Sequence, residues 1–332
     1  MSLECFRQLT QLLPHTPAVL ATVIHVKGSV PREAGAKMIL TLDRIFFTIG
    51  GGAGEGKVIQ QAKTVLETGE PQLVQIDLTG SPNQLQEGIC GGKMQIWLQR
   101  WQGSESLTLA QQIVDLLQSG HSLTLTTPLF PHQSPYLTSA PPLIPPSPHP
   151  LTPPPTYTET LHPPPTLLII GAGHVGEQLA KVAHLTGFQI WVQDDRPDWA
   201  NPDRYPQANQ IFREPIAQIL DRLQPQSQLY VALVTRGYRF DLEALTVLLQ
   251  KQIPCCYLGM IGSEKRVRQV YQAIEQTGIE AAKLKTLYAP IGLDIGALTP
   301  EEIAVSIVAE LIMVRRGGSG RSLSCRLLRR HN

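Results

Sequence analysis

Charge is scarce in this chain, and what there is cancels. Only 17% of the 332 residues are charged, and 28 Lys and Arg stand against 27 Asp and Glu, a net charge of +1. Such a balance offers no field for a nucleic acid, so no nucleic-acid partner is expected. Long apolar runs are missing as well. With no stretch of about 18 apolar residues, no helical membrane span is expected. The opening MSLECFRQLTQLLPH has neither a basic leader nor an extended apolar core, which reads against a secretory signal. Cysteine is sparse: Cys5, Cys90, Cys255, Cys256 and Cys325 follow no regular spacing and form no disulfide framework. These absences point to a reduced, cytoplasmic protein. A hydrophobic fraction of 42% and a length suited to two domains of about 150 residues leave room for large cores.

Proline and glycine, by contrast, are abundant and clustered. Twelve of the 28 prolines fall between positions 141 and 165, a density no packed element tolerates. Residues 139–165 are therefore expected to be an extended, semi-rigid linker. It would separate a first domain, 1–138, from a second, 166–316, with a basic, aperiodic tail over 317–332.

The second domain opens on the most informative stretch, Thr166 to Ala180. Thr166 to Ile170 reads as a short buried strand, Gly171-Ala172-Gly173-His174-Val175-Gly176 as the G-x-G-x-x-G turn, and Glu177 to Ala180 as the opening of a helix. Gly171 would allow the tight turn, Gly173 the approach of a pyrophosphate, and Gly176 close packing of helix on strand. Asp194 stands eighteen residues past Gly176, after a second strand-like run, where a ribose-binding acid belongs. His174 reads as a spacer or local cap. Strand-like Leu229–Val234 and Pro254–Met260, with a helical Leu242–Gln250 between them, continue a doubly wound parallel sheet. Strand ends in such sheets carry ligand residues, which makes Arg236, Arg239, Lys265 and Arg266 candidates for anions. Cys255 and Cys256, inside a strand, face opposite ways and read as core. Thr299-Pro300-Glu301-Glu302 is a capping box with proline in the first turn. It does not account for Gly292-Leu293-Asp294-Ile295-Gly296, an acid between glycines ahead of that cap.

The first domain reads as mixed α/β, with a helix over 3–13 and strands at Ala18–Val26, Arg44–Thr48, Gln72–Leu78, Met94–Leu98 and Leu123–Thr127. Between the first strands lies Gly28-Ser29-Val30-Pro31-Arg32-Glu33-Ala34-Gly35-Ala36-Lys37, either a long polar hairpin loop or a binding loop. Lys27, Arg32 and Lys37 there could meet an anion. A second glycine run, Gly50-Gly51-Gly52-Ala53-Gly54-Glu55-Gly56, precedes a helix expected over Lys57–Glu67 and would expose amides to an anion. Cys90, beside Gly91 and Gly92, is either a small buried hydrophobe or a reactive thiol and soft metal ligand.

Taken together, GSVPREAGAKM (28–38), TIGGG with Glu55, CGG (90–92), LLIIGAGHVGEQLA, QDDRP, YLGMIGSEKR (257–266) and APIGLDIGALTPEEIAVSIVAEL (289–311) resemble the XdhC/CoxI family. These are accessory proteins of xanthine dehydrogenase and related molybdenum hydroxylases. The resemblance covers nearly the whole chain outside the proline run and the tail. It implies a non-catalytic factor that binds the molybdenum cofactor, as molybdopterin or its cytosine dinucleotide form. It implies support of that cofactor's sulfuration and its insertion into an apo-enzyme of the xanthine dehydrogenase type. A cysteine desulfurase and a homodimeric assembly are further expected partners. The implied cofactor residues are Arg32, Gly50, Gly51, Gly52, Glu55, Gly91, Gly92, Gly171, Gly173, His174, Gly176, Asp194, Arg236, Gly292 and Asp294, with Cys90 toward the metal. Many members carry a cysteine or a bulkier residue directly after the GGG run; here Ala53 and Gly54 stand there. Apart from the resemblance, the glycine turn and Asp194 also fit an NAD(P)-dependent oxidoreductase or a nucleotide-sensing Rossmann protein.

Overall fold

Alternation organises the first half of the chain. In the computed structural model, which describes residues 2–78, 91–138, 156–223 and 226–324, the chain divides into two compact units, 1–163 and 164–332. The first unit runs α1 (Ser2–Leu12), β1 (Ala18–Lys27), β2 (Lys37–Leu40), β3 (Ile45–Phe47), α2 (Gly52–Thr68), β4 (Gln72–Asp77), β5 (Lys93–Trp101), α3 (Gly103–Gln118), β6 (Leu123–Pro128), β7 (Tyr136–Thr138) and β8 (Thr156–Leu161). β1 to β5 form one antiparallel sheet in the order β3-β2-β1-β5-β4. Successive side chains of β1 face opposite ways. Ala18 and Leu20 join Phe6, Leu9, Ile113 and Leu117 of α1 and α3 in one core. Val19, Ala21 and Val23 meet Val58, Ala62 and Val65 of α2 on the other face.

Two expectations change in this unit. α2 begins at Gly52, five residues before the expected Lys57, so Gly54 and Gly56 belong to its first turns. Gly54 stays small because a Cβ there would stand 2.7 Å from Ile76. The second change is larger. Thr156–Leu161, assigned by its prolines to a linker, is β8, which pairs antiparallel with β6 from Leu123↔Leu161 to Pro128↔Thr156. Its alternating Thr-Tyr-Thr-Glu-Thr-Leu is strand composition that the surrounding prolines obscure.

The second unit runs β9 (Thr166–Ile170), α4 (His174–Leu185), β10 (Gln189–Gln193), β11 (Ala208–Phe212), α5 (Ile216–Leu223), β12 (Leu229–Leu233), α6 (Tyr238–Gln250), β13 (Tyr257–Met260), α7 (Glu264–Glu275), α8 (Ala281–Leu284) and α9 (Pro300–Arg316). Its five strands are all parallel in the order β11-β10-β9-β12-β13. β9 and β12 are buried throughout, as parallel strands covered on both faces must be. Leu167 and Ile169 face α4 and α9, while Leu168 and Ile170 face α5, α6 and α7. This is the expected Rossmann-like, doubly wound parallel sheet. α6 starts at Tyr238, ahead of the expected Leu242, which places Arg239 and Asp241 inside the helix. Cys255 and Cys256 are exposed and precede β13 instead of lying within its core; the strand begins only where Tyr257 enters the sheet.

Candidate functional site in the second unit

The carboxyl ends of β9, β10 and β12 meet at one edge of the parallel sheet, the edge where such sheets hold ligands. Two glycines of the turn have a steric reason. Gly171 has φ +111°, and a Cβ on it would lie 2.6 Å from the Val234 carbonyl oxygen; a Cβ on Gly176 would collide with the carbonyl oxygen of Gly171. Nothing stands within 4 Å of a Cβ on Gly173, which is the N-cap of α4 without any side-chain cap. The start of α4 therefore presents free amides and the positive end of the helix dipole on an open side. Beneath it the Tyr205 hydroxyl, 3.3 Å from the place of a Gly176 Cβ, is buried without a hydrogen-bond partner among the described residues.

His174, exposed at the start of α4, has an aromatic neighbour. Its ring packs edge-on against Trp199, centroids 5.3 Å apart, and Trp199 also receives the guanidinium groups of Arg196 at 4.8 Å and Arg204 at 4.3 Å. Arg204 pairs with Glu177 at 2.5 Å, and Glu177 with Lys181 at 2.8 Å. The one acid in the first turn of α4 is thereby neutralised.

Asp194 stands where the sequence placed it but is turned to another use. Its Oδ2 accepts from the Ala172 amide at 2.8 Å and from Arg196 Nη2 at 2.8 Å. Its Oδ1 accepts from Arg196 Nε at 2.8 Å and from the Arg196 amide at 3.1 Å. Burial raises the pKa of this carboxyl, but the Arg196 side chain, the Ala172 and Arg196 amides and the Arg196 charge outweigh burial and hold it at about 2. The acid ties the glycine turn to the end of β10, and its lone pairs are committed to the chain itself.

Arg236 leaves β12 to meet Asp195 in a two-pronged pair at 2.7 and 3.0 Å, with its Cζ 3.9 Å from the Phe240 ring centroid. Asp195 and Arg236 thus join the ends of β10 and β12 across a cavity of about 140 Å³. Ile170, Ile216, Phe240 and Ala244 are among the residues forming its apolar wall, and Gln193 and Glu243 are among its polar groups. The wall is assembled from α5 and α6, the consecutive helices on either side of β12, and no single local motif announces it. Arg266, a candidate anion binder, is instead bound to the buried Asp241 through Nε at 2.7 Å, beside Thr235 Oγ1 at 3.1 Å.

Gly292 and Asp294 lie past the last strand, at the same edge. Residues 288–291 run alongside β13 through bonds from the Ile291 amide to Met260 and from the Met260 amide to Tyr288. The Gly292 amide then donates to Glu310 at 2.9 Å, and Glu310 also accepts from the Tyr257 hydroxyl. A Cβ on Gly292 would stand 2.5 Å from Ser306 Oγ, and Ser306 donates to the Leu293 carbonyl at 2.6 Å. The loop is fixed to α9 and leaves Asp294 exposed. The expected capping box is present at Thr299 and Glu302.

In the first unit the glycine run supplies its own anion. Glu55 Oε2 accepts from Thr48 Oγ1 at 2.5 Å, the Ile49 amide at 3.1 Å and the Gly51 amide at 3.0 Å. Burial raises its pKa, but the Thr48 hydroxyl and the Gly51, Ile49 and Gly50 amides more than offset this and lower it. A Cβ on Gly50 would collide with the Pro31 ring and one on Gly92 with the Ser29 carbonyl, whereas Gly51, Gly52 and Gly91 face open space. Arg32 is half-exposed. Lys37 is no anion site: it is buried and bonds both carboxylate oxygens of Glu159 on β8 at 2.6 Å. Cys90 lies outside the described residues, and among those described no group of three His, Cys, Asp or Glu could hold a metal ion.

Strand order, glycine turn and edge cleft make the second unit a Rossmann-type domain. Residues 167–311 match the XdhC Rossmann domain and residues 12–77 match the XdhC and CoxI family. The chain belongs to the XdhC and CoxI family. It is 29% identical over 328 residues to a probable xanthine dehydrogenase subunit from Bacillus subtilis, covering 90% of this chain and 93% of that protein. It is 25% identical over 305 residues to the uncharacterized protein YqeB of Escherichia coli, covering 92% of this chain but only 44% of YqeB. The crystal structure of a xanthine dehydrogenase from Bacillus halodurans superposes with a TM-score of 0.77 at 27% identity, over 96% of both chains.

Proposed function

We propose that this chain is a non-catalytic accessory factor of a xanthine dehydrogenase-type enzyme, which holds the molybdenum cofactor and supports its sulfuration and insertion. The uncapped start of α4, beside a glycine turn that leaves the space above Gly173 open, is the observation that carries the reading, together with the family and the names of its Bacillus relatives. The amides of Gly173 and His174 would take the phosphate end of the cofactor. The bound group would supply the molybdenum centre and its exchangeable sulfur, with a cysteine desulfurase as the sulfur source. Among the described residues no group of three His, Cys, Asp or Glu could hold a metal ion, and Cys90 stays the candidate ligand. A nicotinamide reading is weaker, because the acid that would take a ribose hydroxyl, Asp194, is spent on Ala172 and Arg196.

The test is to purify the chain from a cofactor-producing host and assay it for molybdenum and for the fluorescence of oxidised pterin, with NAD and NADH titrated in parallel. Retained pterin is expected, and Gly173→Asp, which sets a carboxylate against the helix start, should lower retention about tenfold or more. Stoichiometric NAD with hydride transfer, and no pterin even on reconstitution, would overturn the proposal.

A further inference from the structure

Within the first unit, a small polar chamber lies between β5 and the strands β6 and β8. Trp97 and Gln99 are two residues apart on β5, so their side chains leave the same face. Thr22 of β1 stands opposite Trp97. Thr127 of β6, Glu159 of β8 and the buried Lys37 complete the polar lining. Two atoms in this lining are buried without a hydrogen-bond partner among the described residues: Trp97 Nε1, a donor, and Gln99 Oε1, an acceptor. Trp97 as a whole is only 7% exposed. The Gln99 amide has one orientation, because its Nε2 donates to the Gln133 carbonyl at 2.7 Å and an oxygen in that place could not. Lys37 cannot serve Gln99. Its three N–H groups are spent, one on the Gly35 carbonyl at 3.1 Å and two on the Glu159 carboxylate oxygens at 2.6 Å each. Glu159 keeps acceptor capacity, since a carboxylate offers about four lone-pair sites.

We propose that this chamber is a binding site for one water molecule, which accepts from Trp97 Nε1 and donates to Gln99 Oε1 and to the Glu159 carboxylate. The space open to the centre of a water molecule there is about 10 Å³, at the lower end of the roughly 10–15 Å³ that seats one water and too little for an organic ligand. Lys37 and Glu159 carry opposite charges side by side, so the lining favours a neutral guest over a cation or an anion. One donor and two acceptors are the complement of a water, which accepts once and donates twice here. An unpaired buried donor or acceptor is costly, and a single bridging water removes both costs. The water also hydrates a buried ion pair from inside, which lowers the desolvation penalty of Lys37 and Glu159, and it joins β5 to β8 where no direct bond between Gln99 and Glu159 does so. The site lies wholly in the first unit and is independent of the cofactor reading above.

A high-resolution crystal structure of the full chain tests the site directly. One water is expected within about 3.2 Å of both Trp97 Nε1 and Gln99 Oε1. A dry chamber, or an indole turned to donate to a protein oxygen, overturns the inference. Magnetic relaxation dispersion of ¹⁷O water, which counts long-lived internal waters in solution, gives a second reading. The double variant Trp97→Phe, Gln99→Met removes the donor and one acceptor while keeping apolar bulk in their place. It should hold one long-lived water fewer than the wild type; an equal count in the folded variant overturns the inference. If the double variant does not fold, the wild-type crystal structure decides alone.

Discussion

Asp194 and Glu55 share a habit: each is an acid beside a glycine turn, and each spends its carboxylate on that turn's own amides. For Asp194 the consequence is measurable. Its carboxyl is held at about 2, below the roughly 3.9 of an unfolded aspartate. Its contribution to stability is therefore fully present above about pH 4 and is lost as the pH falls toward 2. Asp194→Ala should cost about 2 kcal/mol near neutral pH, because Arg196 and the Ala172 amide lose their partner. The variant's melting temperature should also fall less than the wild type's between about pH 5 and pH 2. Equal slopes in thermal melts across that range would show that the pair contributes little. The position of Asp194 was legible because strand, turn and helix lie within thirty residues of one another. Its commitment to Arg196 was not, since a carboxylate facing a ribose and one facing a guanidinium look alike in sequence.

At the scale of elements, β8 and β2 are held together by a buried ion pair. Lys37 and Glu159 have side chains 3% and 10% exposed, so neither charge is solvated once its partner is gone. Glu159→Ala should destabilise the first unit by about 3 kcal/mol, while Lys37→Met together with Glu159→Leu should recover most of that loss. Chemical denaturation of the single and double variants measures the difference; additive losses would contradict a coupled pair. The sequence signals for the second unit were local and strong: apolar runs buried on both faces, glycines at strand ends, a capping box before α9. Those for β8 were neither. Its partner β6 is distant in sequence, with Leu123 set against Leu161. Prolines crowd both ends of the strand, Pro153, Pro154 and Pro155 before it and Pro163, Pro164 and Pro165 after it. Composition averaged over that window outweighs a short alternation. The early start of α2 was hidden for a related reason: glycine is a poor helix former, and Glu55 bonding back to the Ile49 and Gly51 amides ahead of the helix is visible only in three dimensions.

For the whole molecule, the division between Pro163 and Pro164 sets where the chain can be cut. A fragment of residues 1–163 should fold with a single cooperative transition. A fragment of residues 1–138, which lacks β8 and leaves the buried Lys37 without Glu159, should melt at least about 5 °C lower or aggregate. Equal melting of the two fragments by circular dichroism would place β8 outside the folding unit. Neither fragment contains, among its described residues, a helix long and apolar enough to cross a membrane.

The return of β8 to β6 also changes what the proline run is for. Positions 139–155 connect two strands of one sheet, and only about four residues, 162–165, connect the two units. The proline run is thus an insert in a strand connection, where doubling the length costs roughly 0.6 kcal/mol of closure entropy. For protein engineering the expected consequence is that an epitope, a fluorophore site or a shortened connection placed between β7 and β8 leaves the length of chain between the two units unchanged.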